Sequence, residues 1–462
     1  MAKAGSDYDV VVIGSGIGGL SAGALLAHAG YKTLVLEKDD YVGGRWSTEE
    51  LEGFKLERGA HVIECGGTLE QTFIDVGAKW EHTAAPRLWW KVDGVDYEMP
   101  PKGTVRRLLE IVSELDAKSA KAEGRIASAV PISDITGGLR RGFDNPEAEV
   151  GPSFRDWVMQ YTDSKRVHDI FDSIAIVAGA RACEMPTAAM FRFFRIGGAR
   201  LSGKATRGDS VNAESLAGVV KANGDVWTGC RVKQILVKDK TAQGVVVQKD
   251  GAEETIASRV VISNVGPKAT VQLVGEDVLD DIEYMKLLRM RVRPTPAVQI
   301  YLASDEPLWG EPGVKGVCQV MGARRIIGIV PFSSICPDLA PPGQHLTFIF
   351  GGPQNSLFPM DIECETKQYM ADLDDLLPDW RKRGRILKFD ARNVDDEFPE
   401  YRSWPGHGIA PETPIRNLYN CGDAIIATKE GGQTIDTGYV GTAGAGESGR
   451  VIADMVKKTL PL

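Results

Sequence analysis

Residues 8–37 read YDVVVIGSGIGGLSAGALLAHAGYKTLVLE, and this stretch decides the fold class. Its first six residues form an apolar run of buried-strand length, which the glycine-rich turn GSGIGG (residues 14–19) follows. A small-residue helix over residues 20–29 and a second strand over residues 32–36 complete the pattern. Two strands joined through a helix lie parallel in one sheet, so the stretch predicts a βαβ unit.

The glycine spacing in this turn indicates a dinucleotide site. Gly14 permits the tight turn, Gly16 lets the backbone approach a pyrophosphate, and Gly19 lets the helix pack closely on the strand. The pyrophosphate would rest at the helix N-terminus, where free N–H groups favour an anion. Glu37 ends the second strand and would accept hydrogen bonds from a ribose 2′-hydroxyl. The motif therefore predicts an adenine dinucleotide.

Two other motif matches in the chain have simpler explanations. Gly444-x-Gly446-x-x-Gly449 repeats the glycine spacing, but no βαβ pattern surrounds it, so we expect the close packing of a small-residue helix. The segment GLSAG (residues 19–23) matches the nucleophile elbow of hydrolases. Ser21 would lie inside the first helix, past the turn, and we expect no nucleophile there.

Composition excludes several classes of protein. The chain has 462 residues, of which 43% are hydrophobic and 25% charged, as in a globular protein of two to four structural units. Its formal charge of −9 disfavours nucleic acid as the main partner. The 7 cysteines lack the spacing of a metal site or a disulfide framework. We therefore expect no metal and a cytoplasmic location.

Further segments follow the fingerprint in a fixed order. They are Gly43-Gly44-Arg45, a run that ends in Gly59-Ala60-His61, the late pair Gly422-Asp423 and a C-terminal helix. This set resembles the large FAD family that includes phytoene desaturases, flavin amine oxidases and protoporphyrinogen oxidase. The resemblance covers roughly residues 1–100, 205–270 and 400–462, including a predicted hairpin at Asp93-Gly94.

The resemblance implies a fold and a division into domains. The expected fold is α/β, with a Rossmann-like, doubly wound and discontinuous FAD-binding domain and an inserted α+β substrate domain. Residues 1–75, 205–275 and 405–462 would form the FAD-binding domain. Residues 76–204 and 276–404 would form the substrate-binding domain.

It also implies which residues hold the cofactor. The Gly44-Arg45 segment would lie along the pyrophosphate and ribityl chain, and the late Gly-Asp pair would bind ribityl and phosphate. The Val232 backbone would pair with adenine, and the last helix would point its N-terminus at the flavin. Whether residues 432–434 or Thr442 face the flavin stays open. The expected cofactor-binding residues are Gly14, Gly16, Ile17, Gly18, Gly19, Glu37, Lys38, Gly44, Arg45, Gly59, Ala60, His61, Val232, Gly422, Asp423, Gln433 and Thr434. Since residues 392–414 contain no cysteine, we expect the FAD to be non-covalent.

Three residues are candidates for the catalytic face. His61 would lie beside the flavin ring in a catalytic or orienting role, the alternative being a histidine that only holds its own loop. Tyr401 and Trp404 lie about twenty residues before Gly422, where aromatic side chains often wall the substrate face in this family. Their alternative is an ordinary core or rim position.

The evidence on the substrate comes from apolar clusters. The segment MFRFF (residues 190–194) and the pair Trp89-Trp90 could line a tunnel for an apolar molecule, or could be plain core. Arg192, Arg195 and Arg200 interleave with the first cluster. They would suit peripheral contact with a membrane surface, although a solvated helix face explains them more simply.

The resemblance implies an FAD-dependent dehydrogenase or desaturase. It would act on a C–C bond of a mostly apolar small molecule, isoprenoid or cyclic, by hydride transfer to flavin N5. One alternative is amine oxidation, and another is a redox-neutral isomerase or hydratase that uses reduced FAD. A non-catalytic relative would show a degraded glycine fingerprint, and the fingerprint here is intact. The electron acceptor stays open among oxygen, a quinone and a partner protein, as does the oligomeric state.

Overall fold

The computed structural model describes residues 7–126, 129–149, 151–196, 202–292, 296–311, 313–355, 359–392, 406–430 and 433–462. Its strands in chain order are β1 (Tyr8–Ile13), β2 (Thr33–Leu36), β3 (Thr48–Leu51), β4 (Phe54–Glu57), β5 (Ile63–Glu64), β6 (Thr83–Ala85), β7 (Arg87–Val92), β8 (Val95–Glu98), β9 (Ser202–Lys204), β10 (Gly224–Trp227), β11 (Arg231–Lys238), β12 (Thr241–Lys249), β13 (Ala252–Ser263), β14 (Ala297–Ser304), β15 (Gly316–Val320), β16 (Ile326–Val330), β17 (His345–Gly351), β18 (Gly384–Arg392), β19 (Leu418–Asn420), β20 (Ala427–Glu430) and β21 (Gln433–Asp436).

The helices connect these strands and cover their faces. In chain order they are α1 (Ile17–His28), α2 (Thr68–Val76), α3 (Thr104–Ala122), α4 (Ile132–Asp144), α5 (Phe154–Met159), α6 (Lys165–Ala178), α7 (Thr187–Ile196), α8 (Ser210–Lys221), α9 (Pro267–Val274), α10 (Glu276–Leu279), α11 (Ile282–Arg291), α12 (Phe332–Ile335), α13 (Ile362–Leu376), α14 (Trp380–Arg383) and α15 (Gly441–Thr459), with a short 3₁₀ turn at Pro337–Leu339.

The first large sheet confirms the predicted βαβ unit. Strand β1 lies between β2 and β13 and is parallel to both, while β10 and β19 extend the parallel order at the two sides. Helices α1, α2, α8 and α15 cover one face. The antiparallel strands β11 and β12 continue from the first half of β13. This α/β layering is the expected Rossmann-like fold.

A second large sheet has the strand order β18-β14-β17-β16-β15-β7-β8. The hairpin predicted at Asp93-Gly94 is confirmed, because β7 pairs with β8 and both turn residues have positive φ angles, 48° and 80°. Ile300, Leu302 and Ile349 on one face pack against α13. The opposite face, which carries Tyr301 and Phe348, is therefore the face that the rest of the molecule covers.

The buried apolar side chains of helices α3–α7 pack together in one core. Met185, Met190 and Phe191 are fully buried among α3–α7, so most of the apolar cluster in residues 185–194 supports packing. Arg192 pairs with Glu147, and Arg195 is exposed on the same helix. Arg200 lies outside the described residues. No helix in the described part of the chain is long and apolar enough to cross a bilayer.

Glycine contacts fix helix α1 against its neighbours. A Cβ atom at Gly19 would lie 2.2 Å from the carbonyl oxygen of Gly14, and one at Gly449 of α15 would lie 2.5 Å from the oxygen of Gly18. The second glycine motif is thus a helix-packing surface, as expected. Ser21 is fully buried inside α1 and cannot act as a surface nucleophile.

Substitution of Gly19 with alanine tests this close approach. The new methyl group would collide with backbone, which cannot rotate away, so we expect a loss of about 1–3 kcal/mol in the free energy of unfolding. Urea unfolding of the apoprotein measures it. The control is Gly218→Ala on α8, where a Cβ meets nothing within 4 Å and should stabilise by about 0.5–1 kcal/mol. Equal stability of the two variants would contradict the account.

Candidate active site

One continuous cavity of about 1180 Å³ runs from the end of β2 to the covered face of the second sheet. This volume is larger than that of an ordinary small-ligand pocket. It can hold a large cofactor together with a substrate. The predicted residues that line it are Gly14, Gly16, Ile17, Gly18, Glu37, Lys38, Gly44, Arg45, Gly59, Ala60, His61, Val232, Gly422 and Asp423. Segments distant in sequence therefore meet at one site.

The first end of the cavity is built around Glu37, which is only 6% exposed. Its carboxylate accepts hydrogen bonds from the backbone N–H and the hydroxyl of Ser15, at 2.9 and 2.6 Å, and from the N–H of Asp39 at 3.1 Å. The N–H of Cys230 donates to the carbonyl oxygen of Glu37 at 2.7 Å. That bond holds the start of β11, with Val232, against the same end.

The middle of the cavity joins the first and last segments of the chain. Arg45 Nη2 lies 2.9 Å from Asp423 Oδ2, and a Cβ at Gly59 would lie 2.8 Å from Arg45 Cβ. The N–H of Gly422 donates to Ser448 Oγ at 2.9 Å. The glycines at these positions thus let the Arg45 segment and the α15 segment close around the cavity.

Helix α15 opens its N-terminus onto the same cavity. Tyr439, Val440 and Thr442 line the wall at its start. Of the alternatives left open by the sequence, Thr442 is therefore at the cavity. Gln433 and Thr434 belong to the hairpin strand β21, paired with residues 429–430, and their contact with a cofactor stays a prediction.

His61 lies where the cavity meets the second sheet. Its ring centroid is 4.1 Å from that of Phe348, and its Nδ1 atom is 3.0 Å from the hydroxyl oxygen of Tyr301. That hydroxyl donates its single proton to the carbonyl oxygen of Glu57 at 2.6 Å. The Nδ1–H of His61 must therefore be the donor to Tyr301, which fixes the ring tautomer. Tyr401 and Trp404 lie outside the described residues.

A buried ionic cluster lies behind this histidine. Lys204 Nζ lies 2.5 Å from Glu57 Oε1 and 3.4 Å from Asp209 Oδ1, and all three side chains are essentially inaccessible. Burial raises the pKa of the Asp209 carboxyl well above its usual range, and the Glu57 carboxylate adds to that rise. One ammonium group faces two carboxylates in this cluster, so it offsets the cost of burying the second carboxylate's charge only in part.

Comparison with known proteins gives the site its chemical class. Residues 17–436 match the model of the flavin containing amine oxidoreductase family. The chain belongs to this family. FAD is its cofactor, and non-covalent attachment is typical of the family. The enzyme is an FAD-dependent oxidoreductase, as the sequence predicts.

Individual relatives match over short segments or at low identity. A phytoene desaturase from Cercospora nicotianae is 41% identical over 71 residues, 15% of this chain and 11% of its own length. A pseudooxynicotine dehydrogenase from Pseudomonas sp is 40% identical over 86 residues, 19% of this chain and 14% of its own length. An oxidoreductase structure from Methanosarcina mazei has a TM-score of 0.79 at 24% identity, covering 96% of this chain and 99% of that one. The first two share only about a tenth of their length with this flavoprotein, and the third shows the fold.

The residues present fit FAD. A Cβ at Gly16 would lie 2.6 Å from Asn264 Nδ2, and one at Gly18 would lie 2.9 Å from the backbone nitrogen of Gly422. The wall of the cavity at the α1 N-terminus is thus bare backbone, as a pyrophosphate requires. Among the described residues, no group of three His, Cys, Asp or Glu side chains could hold a metal ion.

Several residues at the flavoprotein's cavity escaped the sequence analysis. Asn264 follows β13 at the edge where the parallel strands end, and that position in the sequence could have identified it as a site residue. Gln299 and Gln319 could have been identified as polar residues inside otherwise apolar strands. Arg58, in the loop before His61, pairs with Glu49 at 3.1 Å.

Replacement of Asp209 with asparagine tests the ionic cluster. The pKa of Asp209 is raised in the folded state above its unfolded value of about 3.9, so its stabilising contribution falls as the pH rises from about 4. The free energy of unfolding of Asp209→Asn relative to wild type should therefore rise from about pH 5 to about pH 8. Urea unfolding across that range measures it, with Asp305→Asn, which replaces an exposed aspartate, as the control. A pH-independent difference for Asp209→Asn would contradict the assignment.

Proposed function

We propose that this flavoprotein dehydrogenates a C–C bond of a mostly apolar substrate. One observation carries the proposal. The cavity-lining side chains from the described parts of β7, β14, β15, β17, α6 and α7 carry no formal charge: Leu88, Ile176, Val177, Phe193, Ile196, Ala297, Val298, Gln299, Val317, Gln319, Phe348 and Phe350. Such a wall stabilises a hydrocarbon and disfavours a bare ion.

We propose that the glycine-lined end holds the cofactor. The N-terminus of α1 would bind the pyrophosphate, Glu37 the ribose, the Val232 backbone the adenine, and the Arg45–Asp423 pair the region next to the ribityl chain. Bound FAD supplies a hydride acceptor at its N5 atom. The rest of the reaction depends on how the chain's own residues place the substrate and exclude water.

His61 would act at the reacting region. Removal of a hydride from one carbon leaves a proton to be lost from the neighbouring carbon. Because Nδ1 of His61 donates its hydrogen to Tyr301, Nε2 is the ring nitrogen that would take up this proton. Tyr301 and Phe348 hold the ring in place, so they are positioning residues for this step.

Amine oxidation is the second candidate. Glu64 also lines the cavity, on β5 close to His61 in sequence, and a carboxylate there could attract an ammonium group. The match to a pseudooxynicotine dehydrogenase over part of the chain favours the same alternative. The uncharged wall of the second sheet favours the apolar substrate.

An anaerobic panel distinguishes the two candidates. Purified holoenzyme is mixed with isoprenoid olefins, cyclic ketones and primary or secondary amines, and the visible flavin absorption band is followed. We expect bleaching by a carbon substrate and none by amines, because the side chains that the second sheet, α6 and α7 add to the cavity carry no charge. Bleaching by an amine alone would replace the proposal with amine oxidation. A control reduction with dithionite shows that the flavin is competent.

Substitution of His61 tests its role. His61→Ala should slow flavin reduction by about 10²-fold, and Tyr301→Phe should slow it less while shifting the pH dependence of the rate, because the ring stays but its tautomer is no longer fixed. Stopped-flow reduction with the carbon substrate from the panel measures both. The exposed His82→Ala is the control. An unchanged rate and substrate affinity in His61→Ala would remove His61 from the mechanism.

A further inference from the structure

Gln319 is a polar side chain in the apolar part of the cavity. It lies on β15, is only 7% exposed and lines the cavity. Its register partner Gly328 on β16 lies beneath Phe350, since a Cβ at Gly328 would come within 2.0 Å of the Phe350 ring. Gln319 therefore lies close to the ring of Phe350, over which a hydrocarbon could extend.

The orientation of the Gln319 amide is fixed by its neighbours. Its Nε2 atom donates to the carbonyl oxygen of Ser173 at 3.2 Å and to the Ser173 hydroxyl at 2.8 Å. That hydroxyl donates its own proton to the carbonyl oxygen of Val320 at 2.8 Å, so it can only accept from Gln319. Oε1 is therefore the remaining polar atom of the amide, and it accepts no hydrogen bond from the described residues.

An acceptor at the apolar wall of the cavity is costly when a bound ligand covers it without offering a hydrogen-bond donor. Leucine or methionine would fill this wall equally well, and helix α6 does not need the Oε1 atom for its contact with β15. A hydrogen-bond donor on the bound ligand would therefore explain why an acceptor, Gln319 Oε1, is present in this apolar wall. Because the side chains that the second sheet adds to this wall carry no formal charge, that donor is neutral.

We propose that Gln319 Oε1 accepts a hydrogen bond from a hydroxyl group on an otherwise apolar substrate. The enzyme's substrate class is then a hydrocarbon alcohol, whose chain lies over Phe350 and whose hydroxyl lies at β15. This inference rests on the proposed apolar substrate and adds a specificity-determining residue to it.

Gln299 provides a matched comparison within the same sheet. It lies in the same row across the strands, paired with Phe350, but its Oε1 is buried, with no hydrogen-bond partner in the described part of the chain. Three strand spacings separate it from Gln319, about 14 Å. One hydroxyl group cannot contact both residues, so the two positions are separable by substitution.

The test compares two probes, farnesol and farnesyl methyl ether, which differ in the presence of the donor. Dissociation constants for the holoenzyme are measured by equilibrium dialysis, so no turnover is needed. Wild type should bind farnesol at least about tenfold more tightly than the ether. Gln319→Met should bind both within about twofold, while Gln299→Met and Gln319→Glu, which keeps an acceptor, should retain the preference.

The outcomes separate this inference from the proposed function. A wild type that binds both probes equally overturns the role of Gln319 and leaves the apolar substrate intact. A preference that persists in Gln319→Met, or that disappears in Gln299→Met alone, also overturns it. If neither probe binds wild type, the apolar substrate itself is contradicted. The comparison of the two probes with the wild-type enzyme can refute the inference by itself, so the test remains valid even if Gln319→Met does not fold.

Discussion

The structure depends on how closely helix α1 approaches the backbone around it. Gly19 touches the turn after β1, Gly18 faces the Gly422 segment, and Gly449 of α15 lies against Gly18. No side chain larger than hydrogen fits these contacts. They place the N-terminus of α1 at the cavity wall and bring the last helix of the chain to the same wall. The wall that we propose for the cofactor and the contact between the first and last segments of the chain thus depend on the same close approach.

The second constraint is the buried Lys204, Glu57 and Asp209 cluster. It connects the loop before His61 to β9 and to the start of α8, and the backbone of Glu57 anchors Tyr301 from the second sheet. Burial of two carboxyl groups and one ammonium group costs free energy that packing elsewhere must offset. The gain is a fixed position for His61, at the border between the glycine-lined part of the cavity and the apolar part.

The sequence predicted those parts of the candidate site that are formed by motifs of a few consecutive residues. The glycine turn, Glu37 and the Gly44-Arg45 segment each carry their signal within a few residues, and the structure places them around one cavity. The apolar wall of the cavity carried no such signal in the sequence. Gln319 and Phe350 become neighbours only through the register of β15, β16 and β17, which depends on pairing between residues distant in sequence.

A crystal structure of the FAD complex with a bound isoprenoid olefin would show whether one cavity holds the cofactor at α1 and the substrate at the second sheet. We expect the pyrophosphate over Gly16 and Gly18, the flavin ring between His61 and the start of α15, and the olefin over Phe348 and Phe350. A pyrophosphate away from the α1 N-terminus, or an olefin bound away from the sheet face, would contradict it.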